Sequence, residues 1–327
     1  MSSATTTDHY LDSCLAPLAP YLALPELTDI FINRPGEIWI ETLGEPPRRI
    51  ETPDLTVPAL QRLAKQIAAA SSQGVNRENP LLAASLPSGV RVQVVLPPAT
   101  RGESAFAFRK NVVADFGLDD YADRGAFRDT LLGPLAVDIR PATEGLKRQP
   151  AHLYLRGAVR DRRNILISGG TSSGKTTFLN ALLHEIPREE RLVLIEDTPE
   201  LRLVHENAVG LLTPRGALGE ARVTAEDLLI ASLRMRPDRI ILGEIRGSEA
   251  FTFLRAVNTG HPGSIATIHA DSPMGSIMQL GLLIMQAGMK MSWEDIISYV
   301  KVSLDIVVQL RRGSSGRYVH EISEVVT

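Results

Sequence analysis

The chain has 327 residues, 44% of them apolar and 22% charged, with a formal net charge of −3 at neutral pH. This composition excludes a disordered chain, and so small a net charge excludes a global electrostatic pull toward nucleic acid or acidic lipid. One cysteine, Cys14, excludes an internal disulfide framework and a cysteine-based zinc site, and no run of about 18 apolar residues is available to span a bilayer. The length predicts two domains, and the absence of a basic segment followed by an apolar core at the N-terminus argues against a secretory signal. The expectation is a soluble, cytoplasmic protein.

Taken in order, residues 1–9 are polar, and from Tyr10 to Leu24 apolar residues recur at helical spacing, interrupted by Pro17 and Pro20. That segment is not cationic, which favours a packed helix over one lying on a membrane. Thr28–Asn33 and Glu37–Glu41 flank Arg34-Pro35-Gly36, the turn chemistry of a hairpin. Leu60, Leu63, Ala64 and Ile67 share a helical face between Pro58 and Ala70, whereas Val90, Val92 and Val94 alternate with Arg91 and Gln93 as in a strand. In Phe106-Ala107-Phe108-Arg109 the arginine again points away from the apolar side, so pattern alone puts Arg91 and Arg109 on a solvated sheet face. Asp119–Leu131 reads as a helix. The predicted division is an α+β domain over 1–133, a linker over 134–148 beginning near Gly133-Pro134, and a second domain over 149–327. A helix over Pro150–Arg163 opens that second domain and carries the basic cluster Arg156, Arg160, Arg162 and Arg163, the pattern of a solvated helix face.

The most specific signal follows. Asn164–Ser168 is a short apolar strand, Gly169-Gly170-Thr171-Ser172-Ser173-Gly174-Lys175-Thr176 has the form GxxxxGK[ST], and a helix runs from about Thr177 to Pro187. Gly169, Gly170 and Gly174 let the backbone turn its N–H groups toward phosphate oxygens, and the helix adds its positive end. Lys175 can reach the β- and γ-phosphates, and the Thr176 hydroxyl can ligate Mg²⁺. Two buried strands then end in carboxylates: Arg191–Ile195 before Glu196-Asp197, and Arg239–Gly243 before Glu244. Beside a phosphate loop, such a carboxylate can hold Mg²⁺ through water or deprotonate an attacking water. A third strand, Gly263–Ile268, ends in His269, where open α/β sheets place their ligands. His261 and His269 lack a third ligand at suitable spacing, so no structural metal is expected. Arg234, Arg236 and Arg246 bracket the second acidic strand; they make surface salt bridges or meet phosphate, within the subunit or across an interface. A closing hairpin is predicted around Gly313-Ser314-Ser315-Gly316.

The phosphate loop, Leu194–Leu201, Leu242–Gly247 and the stretch from Thr259-Gly260-His261 to His269-Ala270 together resemble the secretion-superfamily ATPases, with their Walker A loop, aspartate box, Walker B strand and histidine box in that order. Ile32–Trp39, Phe108-Arg109-Lys110 and Glu321–Val325 are similar to the type IV secretion traffic ATPases, the eleventh VirB component, so the resemblance covers nearly the whole chain. It implies a RecA-like P-loop domain with a mostly parallel sheet, preceded by a smaller α+β domain. It also implies a homohexamer that hydrolyses ATP with Mg²⁺ on the cytoplasmic face of the inner membrane, peripherally attached and partnered by other secretion ATPases. Carried over, residues Gly169 through Thr177 bind the nucleotide, with Thr176 and Glu244 on Mg²⁺. Glu196 and Glu244 share the roles of base and metal organiser, His269 contacts the γ-phosphate, and Arg91 and Arg109 reach the nucleotide. Ser172 departs from the family, whose loop commonly has glycine there. The type II secretion ATPases carry a tetracysteine site, which a single cysteine argues against, leaving pilus retraction and tight-adherence motors as the nearest rivals. A nucleic-acid motor would need a basic stripe with stacking aromatics, and aromatic residues are only 5% here, so no sequence-specific nucleic acid is expected.

Overall fold

The computed structural model describes residues 4–42, 45–110, 116–135, 150–213, 223–313 and 316–325, and the expected linker over 134–148 lies almost wholly outside them. Two units divide the chain: residues 1–113 with 214–223, and residues 114–213 with 224–327.

In the first unit, helix α1 (Ala4–Leu15) and the single turn α2 (Ala19–Leu22) precede strands β1 (Leu27–Ile32), β2 (Glu37–Thr42) and β3 (Arg48–Glu51). Helix α3 (Val57–Ala70) and strands β4 (Leu81–Ser85), β5 (Arg91–Val95) and β6 (Ala105–Arg109) follow. The six-stranded sheet has the order β3-β2-β1-β6-β5-β4, antiparallel throughout. Gly36 takes the left-handed φ of +83° that the β1–β2 turn requires. Val92, Val94, Phe106 and Phe108 are buried in a core shared with Leu60, Leu63 and Ile67 of α3, as their alternation predicts. Arg91 and Arg109 are cross-strand partners, side by side on the sheet face opposite that core. The pattern does not mark β3, a polar edge strand, or β4, whose Leu-Leu-Ala-Ala run suits a helix equally well.

The second unit begins before residue 133. Helix α4 (Leu118–Asp123) stops at Gly125, φ +74°, and the expected helix over Asp119–Leu131 gives way to strand β7 (Leu131–Pro134). Then come α5 (Ala151–Arg160), β8 (Ile165–Gly169), α6 (Lys175–Leu183), β9 (Leu192–Glu196), β10 (Ala208–Leu212), α7 (Ala225–Ser232), β11 (Arg239–Ile245) and α8 (Glu249–Asn258). The chain closes with β12 (Ile265–Ile268), α9 (Pro273–Gln286), α10 (Trp293–Ser303), β13 (Ile306–Gly313) and β14 (Gly316–Glu324). The sheet has eight strands in the order β10-β9-β11-β12-β8-β13-β14-β7, parallel except for the β13–β14 hairpin. Residues 118–134 therefore belong with this sheet and not with the first domain. Leu131 pairs with Glu321, Thr130 Oγ1 donates to the Val319 carbonyl at 2.7 Å, and Tyr121 packs edge-on to Phe178. Local helical spacing could not anticipate a partner strand nearly two hundred residues away.

Alternate residues of the buried strands face opposite layers. Ile165 and Ile167 join α5 and α6 in one core, while Leu166 joins α8, α9 and α10 in the other. The carboxyl end of β8 thus opens beside β12, where the chain order across the sheet reverses. Among the described residues no helix is long and apolar enough to cross a membrane.

At the opposite end of the strands, Arg239 is fully buried. Its Nε and Nη2 donate to Glu190 at 2.6 and 2.9 Å, and Nη1 donates to the Val159 and Gly263 carbonyls at 2.6 and 3.3 Å. A Cβ on Gly263 would lie 2.7 Å from that guanidinium, so glycine is required there. The arginine holds Glu190 below the ordinary carboxylate range against the effect of burial. Removing it leaves a buried carboxylate with only the more distant and partly exposed Arg162, at 3.4 Å. Arg239→Ala is therefore expected to cost about 3–5 kcal/mol in urea unfolding; a loss below about 1 kcal/mol would show that Glu190 finds another partner.

Candidate active site

The phosphate loop is shaped by steric limits on its glycines. A Cβ on Gly169 would lie 2.4 Å from Ser173 Oγ and 3.0 Å from the Leu310 carbonyl. Gly174 has φ +93° and immediately precedes α6, so the loop delivers its backbone N–H groups at a helix N-terminus. Ser172 also sits in the left-handed region, at φ +60°. The family preference for glycine there has this physical basis. Ser173 Oγ is buried with no hydrogen-bond partner among the described residues, a polar vacancy of the kind a phosphate oxygen can satisfy.

Lys175 opens α6 and is 8% exposed. Its Nζ donates to the Gly169 carbonyl at 2.8 Å and the Gly170 carbonyl at 3.2 Å, and stands 3.3 Å from His269 Nδ1. Burial pushes its pKa down to about 8, opposed by Glu244 and reinforced by Arg246. Sheet register explains why His269 is at hand. Ile268 pairs with Ser168, so the residue after β12 lies beside the start of the loop.

His269 in turn meets Glu244, with Nε2 3.0 Å from Oε1. Burial and the neighbouring Lys175 lower the pKa of His269, which favours the neutral imidazole. Its partners then assign the tautomer: Nε2–H donates to Glu244, and Nδ1 accepts from Lys175. The other oxygen of Glu244 accepts from Arg246 Nη2 at 2.6 Å, and Arg246 Nη1 reaches Asp197 Oδ2 at 2.8 Å. Thr213 Oγ1 donates to the second Asp197 oxygen at 2.9 Å. An open cleft of about 320 Å³ is lined by Glu244, Arg246, His269 and Gln279.

Lys175, His269, Glu244 and Arg246 are thus brought together, and Thr176 stands in the first turn of α6. Glu196 ends β9 beside them, yet its Oε2 accepts the backbone N–H groups of Glu200 and Leu201, both at 2.9 Å. Arg234 is exposed and precedes β11, at the end of that strand opposite Glu244. Arg91 and Arg109 lie in the other unit. Sequence reasoning missed Asp197 as the acceptor for Arg246, although it adjoins Glu196, and missed Gln279, which carries no motif.

With this geometry in place, the relatives are informative. The profile of the family described as type II/IV secretion system protein matches residues 13–315. A type IV secretion system protein VirB11 of Bartonella henselae is 37% identical, covering 91% of this chain and 88% of its own. The type IV secretion system protein PtlH of Bordetella pertussis is 39% identical over 92% of this chain and 90% of its own. The chain belongs to the type II/IV secretion system protein family. The structure of the pilus retraction motor PilT with bound ADP is similar in fold, with a TM-score of 0.65 at 20% identity over 97% of this chain and 83% of that one.

In this family member the depressed Lys175 has a measurable consequence. Its folded pKa of about 8 lies below the ordinary lysine value of 10.5, so between those values the unfolded chain binds more protons. Stability due to this group must therefore rise as pH increases from about 8 to 10.5. The stability difference between wild type and Lys175→Met is expected to shift toward wild type by about 1–3 kcal/mol across that window. Denaturant unfolding of both proteins at several pH values measures it; a flat difference would mean the ammonium is not destabilised by burial.

Proposed function

We propose that this chain is an ATPase that powers a type IV secretion machine, working as a homohexamer on the cytoplasmic side of the inner membrane with other components of that machine. The convergence of Lys175, His269 and Glu244 at the phosphate loop carries the reading. The full-length relatives named as type IV secretion system proteins favour that machine over a pilus motor.

Lys175 is bonded to its own loop. Incoming phosphates supply the anionic partner that burial denies it, so the ammonium moves from the loop carbonyls to the β- and γ-oxygens. The hydroxyl of Thr176 is a hard oxygen donor that suits Mg²⁺, and the carboxylate of Glu244 would hold that ion through water. That ion, when bound, neutralises charge on the phosphates. Glu244 is assigned as the acceptor of the attacking water's proton, because it faces the cleft, whereas Glu196 is occupied with the amides of Glu200 and Leu201. Neutral His269 can swing its Nε2–H from Glu244 to the γ-phosphate, which frees the glutamate as substrate binds. Arg91 and Arg109 are assigned to the nucleotide. In the ring, Arg234 is assigned to the subunit interface.

Steady-state ATP hydrolysis tests these assignments. Lys175→Ala and Glu244→Gln are each expected to lose about 10²–10³ in turnover with normal melting. Arg91→Ala and Arg109→Ala should bind ADP nearly as wild type and lose most turnover. Glu196→Gln should instead lower the melting temperature and keep more activity than Glu244→Gln; the reverse order would return the base to Glu196.

For assembly, multi-angle light scattering with Mg²⁺ and a nonhydrolysable ATP analogue at micromolar concentration is expected to give a hexamer. A persistent monomer would remove the ring from the proposal.

A further inference from the structure

The hydrolytic cluster occupies one flank of the phosphate loop and leaves the other unexplained. In the sheet, β12, β11 and β9 lie on one side of β8 and carry His269, Glu244 and Glu196; β13 and β14 lie on the other. A nucleotide whose terminal phosphoryl group faces the carboxylates carries its sugar and base at the far end of the phosphate chain, and the flank of the loop away from the carboxylates is that of β13 and β14. On that flank Arg317, near the start of β14, is pressed against the loop. A Cβ on Gly174 would be 2.9 Å from Arg317 Cδ and 3.7 Å from its Nε. The missing side chain at Gly174 is the space that the arginine stem fills.

An aromatic wall adjoins the same place. Tyr121 of α4 is half-buried and stands edge-on to Phe178 in the first turn of α6, with centroids 5.3 Å apart and planes at 83°. Burial raises its phenol to about 12, against the opposing charges of Arg317 and Arg124, so it remains a neutral hydroxyl donor. Arg124 lies 3.8 Å over the Phe116 ring, which packs edge-on to Tyr121. Arg317 and the partly exposed edge of Tyr121 therefore lie on the side of the loop away from Glu244.

We propose that Arg317 and Tyr121 form the subsite for the nucleoside end of the bound nucleotide, Arg317 donating to the sugar oxygens and Tyr121 bounding the base. The inference rests on the phosphate-loop reading and adds to it the second half of the ligand. It accounts for an arginine positioned at the loop by the last hairpin of the fold, more than 140 residues away in sequence.

Isothermal titration of wild type and Arg317→Gln with ATP, ADP and inorganic tripolyphosphate tests it. Glutamine keeps an aliphatic stem against Gly174 and removes the charge. The Kd for ATP and ADP is expected to rise about 10–100-fold, the range of a lost charge-assisted contact, while tripolyphosphate binding changes by no more than about twofold. Equal weakening of all three ligands would make Arg317 a prop for the loop and overturn the subsite, and unchanged nucleotide binding would overturn it too. Lys175→Ala separates the underlying reading, because it must weaken tripolyphosphate as well. If wild type bound none of the three, or Lys175→Ala bound all three normally, the phosphate site itself would fall.

Discussion

A cation held in the interior without a carboxylate in hydrogen-bond contact is the constraint around which this molecule is arranged. Lys175 is nearly buried, bonded to two loop carbonyls and a neutral imidazole, and its charged form is disfavoured enough to bring the pKa to about 8. Such a site is preorganised for an anion, since phosphate brings compensation without requiring the loop to be built on arrival. Each neighbouring feature preserves that state. Gly169 has no room for a side chain, the helix behind the lysine is buried on the core side, and the carboxylate whose charge acts on Lys175, Glu244, is engaged by His269 and Arg246.

The sheet then decides which acid does what. Glu196 and Glu244 end neighbouring parallel strands, and Gly243 lets those strands approach until its missing Cβ would be 3.1 Å from that of Glu196. From sequence the two carboxylates are equivalent. They diverge because the chain after β9 turns back at once, and Glu196 satisfies the amides of that turn while Asn180 holds the same segment from α6. Glu244 is followed by Arg246, whose own amide is captured by Glu249 at the start of α8, so its side chain is directed across the cleft to Asp197. One acid stabilises a turn and the other faces the open cleft.

Features governed by local chemistry were legible without coordinates. The phosphate loop, the three strands ending in Glu196, Glu244 and His269, the parallel sheet and the hairpin at Gly36 all follow from residue type and spacing. What could not be read depends on pairing at long range. Strand β7 exists because β14 offers it an edge, and this moves residues 118–134 into the second unit. Arg239 stands in the sequence only as the first residue of an apolar strand, and nothing nearby announces the Glu190, Val159 and Gly263 that surround it. Arg246 carries no hint that it spans two carboxylates, since Asp197 is 49 residues distant in the chain.

Ser172 shows how local and global demands are reconciled at the loop itself. Its φ of +60° belongs to the region that glycine enters freely and other residues enter at roughly 1–2 kcal/mol. A glycine would remove that strain, but it would also enlarge the conformational freedom of the unfolded chain by a comparable amount. The net stability difference between the two residues is therefore small, and what differs is rigidity. Serine restricts the loop to a narrower range of shapes around Lys175, so a departure from the family pattern at this position is compatible with the same phosphate cradle. The steric demand falls on Gly169 and Gly174, where neighbouring atoms leave no space, and those two positions keep the family's residue.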